Sequence, residues 1–233
     1  MRTVLMVAAA GEGKRMSSKR KKQYIDLRGM PLLSRTLHSF SGCCELFEKI
    51  LLIIPPGDES FIESEIISSL PSDLAGRIEQ VPGGKSRRES VYNGLKRALD
   101  FYADYVLIHD GARPFISCSL IRRVLQAVRR KGAVTVGTPV TDTIKIRDED
   151  GLVESTPDRD RLMAVQTPQA FSCELLKRAH EETDHDVKAT DDASLVEELG
   201  HEVLIVRGSY DNIKITKPRD LKLAEIILEE GGL

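Results

Sequence analysis

The chain has 233 residues, of which 41% are hydrophobic and 30% are charged, and its formal net charge is −2. These values are typical of a soluble globular protein, and the near-neutral balance argues against a general affinity for nucleic acid. The sequence contains no secretory signal and no apolar run long enough to cross a bilayer. We therefore expect a cytoplasmic protein with neither nucleic-acid nor membrane partners.

The cysteines and histidines indicate neither disulfides nor a structural metal. The cysteines at positions 43, 44, 118 and 173 include no C-x-x-C pair, and the five histidines have no zinc-type spacing. We predict reduced, mostly buried thiols.

Short runs of Val, Ile and Leu alternate with helical patterns along the chain, which is typical of βαβ units and a mostly parallel sheet. We predict one α/β domain over 1–233, with a Rossmann-like sheet flanked by helices. The predicted strands are 3–8, 49–54, 78–81, 104–108, 132–138 and 202–206. The predicted helices are 31–40, 58–69, 86–100, 117–130, 172–183, 191–199 and 218–229, with Asp58 and Ser117 as candidate N-caps.

A glycine-rich basic loop follows the first predicted strand. Gly11 and Gly13 permit a tight turn and a close approach of backbone N–H groups to an anion. Six cations follow within nine residues, namely Lys14, Arg15, Lys19, Arg20, Lys21 and Lys22. The spacing matches neither G-x-x-x-x-G-K-[ST] nor G-x-G-x-x-G. On spacing alone, a polyphosphate site and a solvated or nucleic-acid-binding loop remain open alternatives.

The ends of the other strands supply further candidates, because ligands of open parallel sheets bind beyond the carboxyl ends of the strands. The third strand leads into Gly83-Gly84-Lys85 and a helix whose first turn carries Arg87 and Ser90. The pair of glycines allows a close approach to a flat ligand, although an ordinary loop with an N-cap has the same pattern.

The fourth predicted strand ends near Asp110, a position suited to holding Mg²⁺ bound to phosphates. A helix cap or a simple ion pair with Arg113 are the alternatives, and His109 is predicted to be a hydrogen-bonded core residue. Lys214 lies in a predicted short strand over 211–216. It points either to an anion in the crevice or along the surface.

Residues 140–170 depart from the βαβ pattern. They predict a β-hairpin, with one strand over 143–147 and the return strand over 152–155. An isolated hairpin is marginal in water, so it packs against either another subunit or its own domain.

Together these strand ends suit nucleotidyl transfer. A phosphate nucleophile is already ionised at neutral pH, and the barrier lies in alignment and in charge at phosphorus, which fixed cations and Mg²⁺ stabilise. No Ser-His-Asp set or paired-carboxylate site is evident.

Nine motifs occur in order from Ala8 to Thr216: AAAGEGKRM, KKQY, GGKSRRES, HDGARP, DTIK, DRDRL, QTPQAF, TDDAS and DNIKIT. Together they resemble the 2-C-methyl-D-erythritol 4-phosphate cytidylyltransferases of the non-mevalonate isoprenoid pathway. Ribitol-5-phosphate cytidylyltransferases share several of these motifs, but DTIK and DRDRL take the isoprenoid form here. A non-catalytic nucleotide or RNA binder is a remote alternative, disfavoured by the scarcity of aromatic residues for base stacking.

The resemblance implies transfer of CMP from CTP to 2-C-methyl-D-erythritol 4-phosphate with Mg²⁺, in a nucleotidyltransferase-type fold. It implies a homodimer formed through a β-arm at about 140–162. The implied catalytic residues are Arg15, Lys22 and Lys214. The implied nucleotide-binding residues are Ala9, Ala10, Gly11, Gly84, Lys85, Arg87 and Ser90. The implied acceptor-binding residues are Asp110, Arg113, Thr143, Arg159, Thr167 and Thr190. Asp110 is also implied to lie near the metal.

Two positions depart from the family pattern. Lys21 stands where the family usually has proline before Lys-Gln-Tyr, and Lys85 replaces a common acidic residue. The second change matters for nucleotide selectivity only if that side chain contacts the nucleotide.

Overall fold

A seven-stranded sheet forms the centre of the computed structural model, which describes residues 1–11, 21–184 and 189–231. The strand order is β3-β2-β1-β4-β8-β5-β9. The strands are β1 (Thr3–Ala8), β2 (Lys49–Ile54), β3 (Ile78–Pro82), β4 (Tyr105–Asp110), β5 (Ala133–Pro139), β6 (Ile146–Arg147), β7 (Val153–Ser155), β8 (Met163–Ser172) and β9 (Leu204–Arg207). β8 is antiparallel to β4 and β5, and the remaining pairs in this sheet are parallel. The predicted fold class is confirmed.

Helices cover both faces of the sheet. They are α1 (Leu32–His38), α2 (Glu59–Phe61), α3 (Ser72–Ala75), α4 (Arg87–Asp100), α5 (Cys118–Lys131), α6 (Cys173–Glu182), α7 (Asp192–Glu198) and α8 (Pro218–Glu229). A π-helical turn and a 3₁₀ turn extend α2 to Ser69, and further 3₁₀ turns occupy Lys22–Tyr24, Ser41–Leu46 and Arg159–Arg161. None of the helices in these described ranges is long and apolar enough to cross a membrane.

The central strands are apolar throughout because both of their faces are buried. In β1, Leu5 and Val7 pack with residues of α1 and α5 on one face, whereas Val4 and Met6 pack with residues of α4 and α6 on the other. All four side chains are fully buried. This is the pattern expected of parallel strands covered by helices on both sides, and it explains why the first strands were predictable.

Two sequence predictions about strands are wrong. The region assigned to the hairpin extended to residue 170, and a helix was predicted from residue 172, but Met163–Ser172 form β8 inside the main sheet. Pro168 and the polar residues beside it hide the strand pattern, and the β5–β8 pairing is irregular between Val134 and Val136. The predicted short strand around Lys214 is absent from the described structure, where the N–H of Ile215 donates to the carbonyl of Ala112 without forming a ladder.

The predicted hairpin is present but shorter than expected. Ile146–Arg147 pairs with Val153–Ser155 as a separate two-stranded sheet, and most of residues 140–162 are exposed. The cysteines are free thiols, and Cys43, Cys44 and Cys173 are buried, as predicted.

The two predicted N-caps differ. Ser117 caps α5 by accepting a hydrogen bond from the N–H of Leu120, whereas Asp58 precedes α2 without making a side-chain cap.

Candidate active site

A cavity of about 850 Å³ opens at the carboxyl ends of β1 and β4, next to the loop after β3. It is where the strand-end rule for open sheets places a ligand. The predicted site residues that line it are Ala9, Ala10, Gly11, Lys22, Gly84, Lys85, Arg87, Ser90, Asp110 and Lys214. The fold therefore brings together side chains that the sequence separates by up to 205 positions.

Asp110 is the buried carboxylate at this cavity. Its Oδ2 lies 2.9 Å from Nζ of Lys214 and 3.3 Å from Nε of Arg113. Burial acts to raise the pKa of Asp110, but the charges of Lys214 and Arg113 outweigh it and hold that pKa well below its usual range. The carboxylate is therefore ionised at neutral pH, and Lys214 points to an anion, as one of the two sequence interpretations predicted.

Arg113 and Thr167 support Asp110 from behind and do not line the cavity. Arg113 also donates to the carbonyl of Asn212 at 2.7 Å, and the N–H of Asp110 donates to Oγ1 of Thr167 at 3.0 Å. Both side chains are buried. They fix the position of the carboxylate in this single chain.

His109 is a core residue, as predicted. Its ring is fully buried, and burial lowers its pKa to about 4, so it is neutral at pH 7. Nε2 lies 3.0 Å from the carbonyl of Arg113 and must carry the proton, because a carbonyl only accepts. Nδ1 then accepts the hydroxyl hydrogen of Thr167 at 3.2 Å, which leaves the Thr167 oxygen to accept from Asp110.

The loop between β3 and α4 is fixed from within. The N–H of Gly84 donates to Oγ of Ser90 at 2.9 Å, and the N–H of Lys85 donates to Glu89 at 2.7 Å. Glycine is required at position 83 for steric reasons, because a Cβ there would lie 2.4 Å from Cβ of Ala10. The backbone of this loop is thus already ordered for a ligand.

Arg87 is held by the carboxylate of Asp192, a residue that is not among the site residues predicted from the sequence. Its Nη2 lies 2.7 Å from Oδ2 of Asp192, a residue that is 1% exposed. Burial acts to lower the pKa of Arg87, but Asp192 outweighs it and raises that pKa. Asp191 is the residue that caps α7, by accepting from the N–H of Ser194.

The basic turn contributes Lys22 to the cavity. The neighbouring Gln23 is buried and donates through Nε2 to the carbonyl of Ala9 at 2.8 Å, which ties the turn to the end of β1. Arg15, predicted as the second catalytic cation, lies outside the described residues together with Lys14, Lys19 and Arg20.

Thr143, Arg159 and Thr190 do not line the cavity of this chain. Thr143 and Arg159 are exposed on the arm, where Arg159 donates to the carbonyl of Thr141 at 3.2 Å. Thr190 is exposed just before α7. The single chain therefore leaves the two predicted acceptor-binding residues of the arm, Thr143 and Arg159, outside its own cavity.

Several lining residues were not predicted from the sequence, among them Gln23, Pro55, Pro56 and Thr216. Pro55 and Pro56 directly follow β2, so the strand-end rule could have found them. Gln23 and Thr216 lie within the KKQY and DNIKIT motifs but carry no charge that would single them out.

The donor set suits a metal that arrives with a polyphosphate. No group of three or more His, Cys, Asp or Glu residues among the described residues could hold a metal ion by itself. Both cations contact Oδ2 of Asp110, and no hydrogen-bond donor from the described chain contacts its Oδ1. Mg²⁺ is commonly held by one or two carboxylates plus substrate phosphates, and Asp110 fits that role.

Comparison with known proteins gives a consistent picture. A sequence model of one family, described as "IspD: 2-C-methyl-D-erythritol 4-phosphate cytidylyltransferase", matches residues 3–230. A protein of that name from Pelotomaculum thermopropionicum is 42% identical over 225 residues, covering 96% of this chain and 93% of its own length. Another from Trichormus variabilis is 44% identical over 225 residues, covering 96% of both chains.

Solved structures agree with the sequence comparisons. The 4-diphosphocytidyl-2C-methyl-D-erythritol synthase from Anaerococcus prevotii superimposes with a TM-score of 0.85 at 35% identity, covering 98% of both chains. The 2-C-methyl-D-erythritol 4-phosphate cytidylyltransferase from Thermus thermophilus superimposes with a TM-score of 0.76 at 33% identity, covering 98% of this chain and 100% of that one.

Proposed function

The chain belongs to the 2-C-methyl-D-erythritol 4-phosphate cytidylyltransferase family, and we propose that the cavity described above carries out this reaction. CMP passes from CTP to 2-C-methyl-D-erythritol 4-phosphate, giving 4-diphosphocytidyl-2-C-methyl-D-erythritol and pyrophosphate. We place the enzyme in the cytoplasm, as a step of isoprenoid precursor biosynthesis. The observation that carries the proposal is one cavity lined by Lys22, Arg87, Lys214 and the ionised Asp110.

The chemistry requires alignment and charge neutralisation. An oxygen of the acceptor phosphate attacks the α-phosphorus of CTP in line, and the bond to the bridging oxygen of the β-phosphate breaks. No proton has to be removed from the nucleophile, so no general base is needed. Lys22 and Lys214 stabilise the negative charge that develops at the α-phosphate, and Arg15 is proposed to join them.

The nucleotide is proposed to lie along the two glycine-containing loops that follow β1 and β3. Ala9, Ala10 and Gly11 flank it at the end of β1, and Gly84 and Lys85 face the base. Arg87 and Ser90 adjoin the base, the ribose or the phosphates. Asp110 would help to hold Mg²⁺, which would supply Lewis-acid stabilisation of the phosphates when bound.

The acceptor is proposed to bind on the Asp110 side of the cavity, with Arg113, Thr167 and Thr190 nearby. Thr143 and Arg159 would come from the arm of a second subunit. Their exposure on the arm, away from this chain's own cavity, supports the homodimer. Exposed apolar residues on the same arm, Ile146, Leu152 and Val153, support it further.

Replacement of Lys22 tests this assignment. Lys22→Ala should lower kcat by roughly 10²–10³, the usual effect of removing one transition-state donor. The measurement is pyrophosphate release at saturating CTP and acceptor. Lys222→Ala, at an exposed position of α8, is the matched control and should retain wild-type kcat. A Lys22→Ala enzyme within tenfold of wild type would refute the role given to this lysine.

A further inference from the structure

Asp58 joins two side chains of the basic turn. Nζ of Lys21 lies 2.7 Å from Oδ1 and 2.6 Å from Oδ2 of Asp58, and the hydroxyl of Tyr24 donates to Oδ2 at 2.6 Å. We refer to Lys21, Tyr24 and Asp58 as the Asp58 clamp. It connects residues that are 34 and 37 positions apart in the sequence.

The carboxylate of Asp58 is committed to this clamp and not to its own helix. Asp58 stands at the N-cap position of α2, where an aspartate usually accepts a hydrogen bond from a backbone N–H of the first turn. It makes no such bond here. Burial acts to raise the pKa of Asp58, but the hydrogen bonds from Lys21 and Tyr24 outweigh it and lower that pKa. The carboxylate of Asp58 is therefore ionised at neutral pH.

The clamp holds the turn that carries Lys22. Tyr24 is 8% exposed, its ring lies 4.7 Å from that of Phe61, and its N–H donates to the carbonyl of Lys21 at 2.9 Å. Gln23 is tied to Ala9 on the other side of the turn. Lys22 lies between these fixed neighbours in the sequence, and it lines the cavity. Pro55 and Pro56, which precede Asp58 by three and two residues, line the same cavity.

We propose that Asp58 is a positioning residue for Lys22, acting through Lys21 and Tyr24. The inference rests on the proposed function, because it assumes that Lys22 acts on the α-phosphate. A displaced cation stabilises the transition state less, because negative charge develops at the α-phosphate there. Loosening the clamp should therefore lower kcat more than it changes KM. Exposed ion pairs add little to stability, and the Lys21 side chain is 41% exposed, so the melting temperature should change little.

Four variants test the proposal by steady-state pyrophosphate release with CTP, Mg²⁺ and 2-C-methyl-D-erythritol 4-phosphate. Asp58→Asn and Lys21→Met should each lower kcat roughly 10- to 100-fold with KM for CTP within about threefold of wild type. Their combination should cost no more than the more severe single change, because both remove the same contact. Lys21→Arg should restore most of the activity, since a guanidinium also binds both oxygens of a carboxylate.

A second lysine–tyrosine–carboxylate set provides the control. Lys177 lies 2.9 Å from Glu181, and the hydroxyl of Tyr92 donates to Glu181 at 2.8 Å. None of these three residues lines the cavity. Lys177→Met and Glu181→Gln should keep kcat within about twofold of wild type, because they remove the same kind of ion pair at a site that does not contact the turn carrying Lys22.

The outcomes separate the positioning role from the function on which it rests. Wild-type kcat in both Asp58→Asn and Lys21→Met, or losses equal to those of the control pair, would overturn the clamp's role. So would a loss confined to KM, or fully multiplicative losses in the double variant. A wild-type protein that releases no pyrophosphate would instead refute the proposed function itself. If Asp58→Asn fails to fold, Lys21→Met and Lys21→Arg still decide the question.

Discussion

At the scale of single residues, the site is built from charges that are paired across the fold. Asp110 and Lys214 were predictable, because an acid and a lysine next to apolar strand-like segments need partners. Asp192 and Asp58 were not recognised as partners, since the cations they hold lie 105 and 37 positions away. The local sequence indicates only a helix cap for Asp58 and no partner for Asp192, and the tertiary fold shows which charge each aspartate contacts.

The Arg87–Asp192 pair predicts a pH-dependent loss of stability. Asp192 is fully buried, no donor within the described chain contacts its Oδ1, and burial raises its pKa against the effect of Arg87. Arg87→Met should raise that pKa further and cost roughly 3–5 kcal/mol at pH 8, because it leaves a buried charge unpaired.

The sign of the pH dependence follows from proton binding. An acid whose pKa is higher in the folded state than in the unfolded state binds more protons when folded, so its stability contribution falls as the pH rises through the folded pKa. The deficit of Arg87→Met relative to wild type should therefore shrink between about pH 8 and pH 5. Urea denaturation at both values measures it, and an equal deficit at both would contradict the account.

At the scale of elements, the apolar strands were predictable and β8 was not. β1 and β2 are continuous apolar runs because helices cover both faces. β8 carries buried polar groups instead, and their partners are distant: Gln169 donates to Thr135 and Asp191, and Gln166 donates to the carbonyl of Ser209. Local periodicity cannot reveal a strand whose polar side chains are satisfied by other elements.

The contact between the β1 and β3 loops predicts the effect of adding one methyl group. A Cβ at Gly83 would lie 2.4 Å from Cβ of Ala10, so Gly83→Ala must push these loops apart at the cavity. We expect a loss of roughly 1–3 kcal/mol in the free energy of unfolding, together with weaker CTP binding.

Gly42→Ala is the control, because the nearest side-chain atom to its new Cβ would be Sγ of Cys118 at 3.4 Å, an ordinary contact. Chemical denaturation and calorimetric titration with CTP compare the two variants. Equal stability and CTP affinity in both would show that the close approach of Gly83 and Ala10 does not matter.

At the scale of the whole molecule, the arm is a part that a single chain leaves exposed. Its apolar side chains include Ile144, Ile146, Leu152 and Val153, which are between 39% and 67% exposed. The sequence predicted the hairpin from its alternation and central turn, but a hairpin's pattern does not specify the surface that it contacts. The proposed homodimer accounts for both this exposure and the position of Thr143 and Arg159.

A charged residue on the arm tests the homodimer. Leu152→Asp should convert a wild-type dimer into a monomer in sedimentation equilibrium, because burying an unpaired carboxylate in an apolar interface is costly. Turnover should fall with it. Leu223→Asp on α8, at a residue that is 46% exposed outside the arm, should leave the mass and activity unchanged. A wild-type monomer, or a Leu152→Asp protein that remains dimeric at the same concentration, would contradict the arm's role.

The reaction proposed for this cavity is the transfer of CMP from CTP to one particular sugar-alcohol phosphate. The most direct test is pyrophosphate release with Mg²⁺ and each of the four nucleoside triphosphates, crossed with 2-C-methyl-D-erythritol 4-phosphate and ribitol 5-phosphate. We expect a signal only with CTP and 2-C-methyl-D-erythritol 4-phosphate. Equal or faster release with ribitol 5-phosphate, or none with any pair from a folded protein, would contradict it.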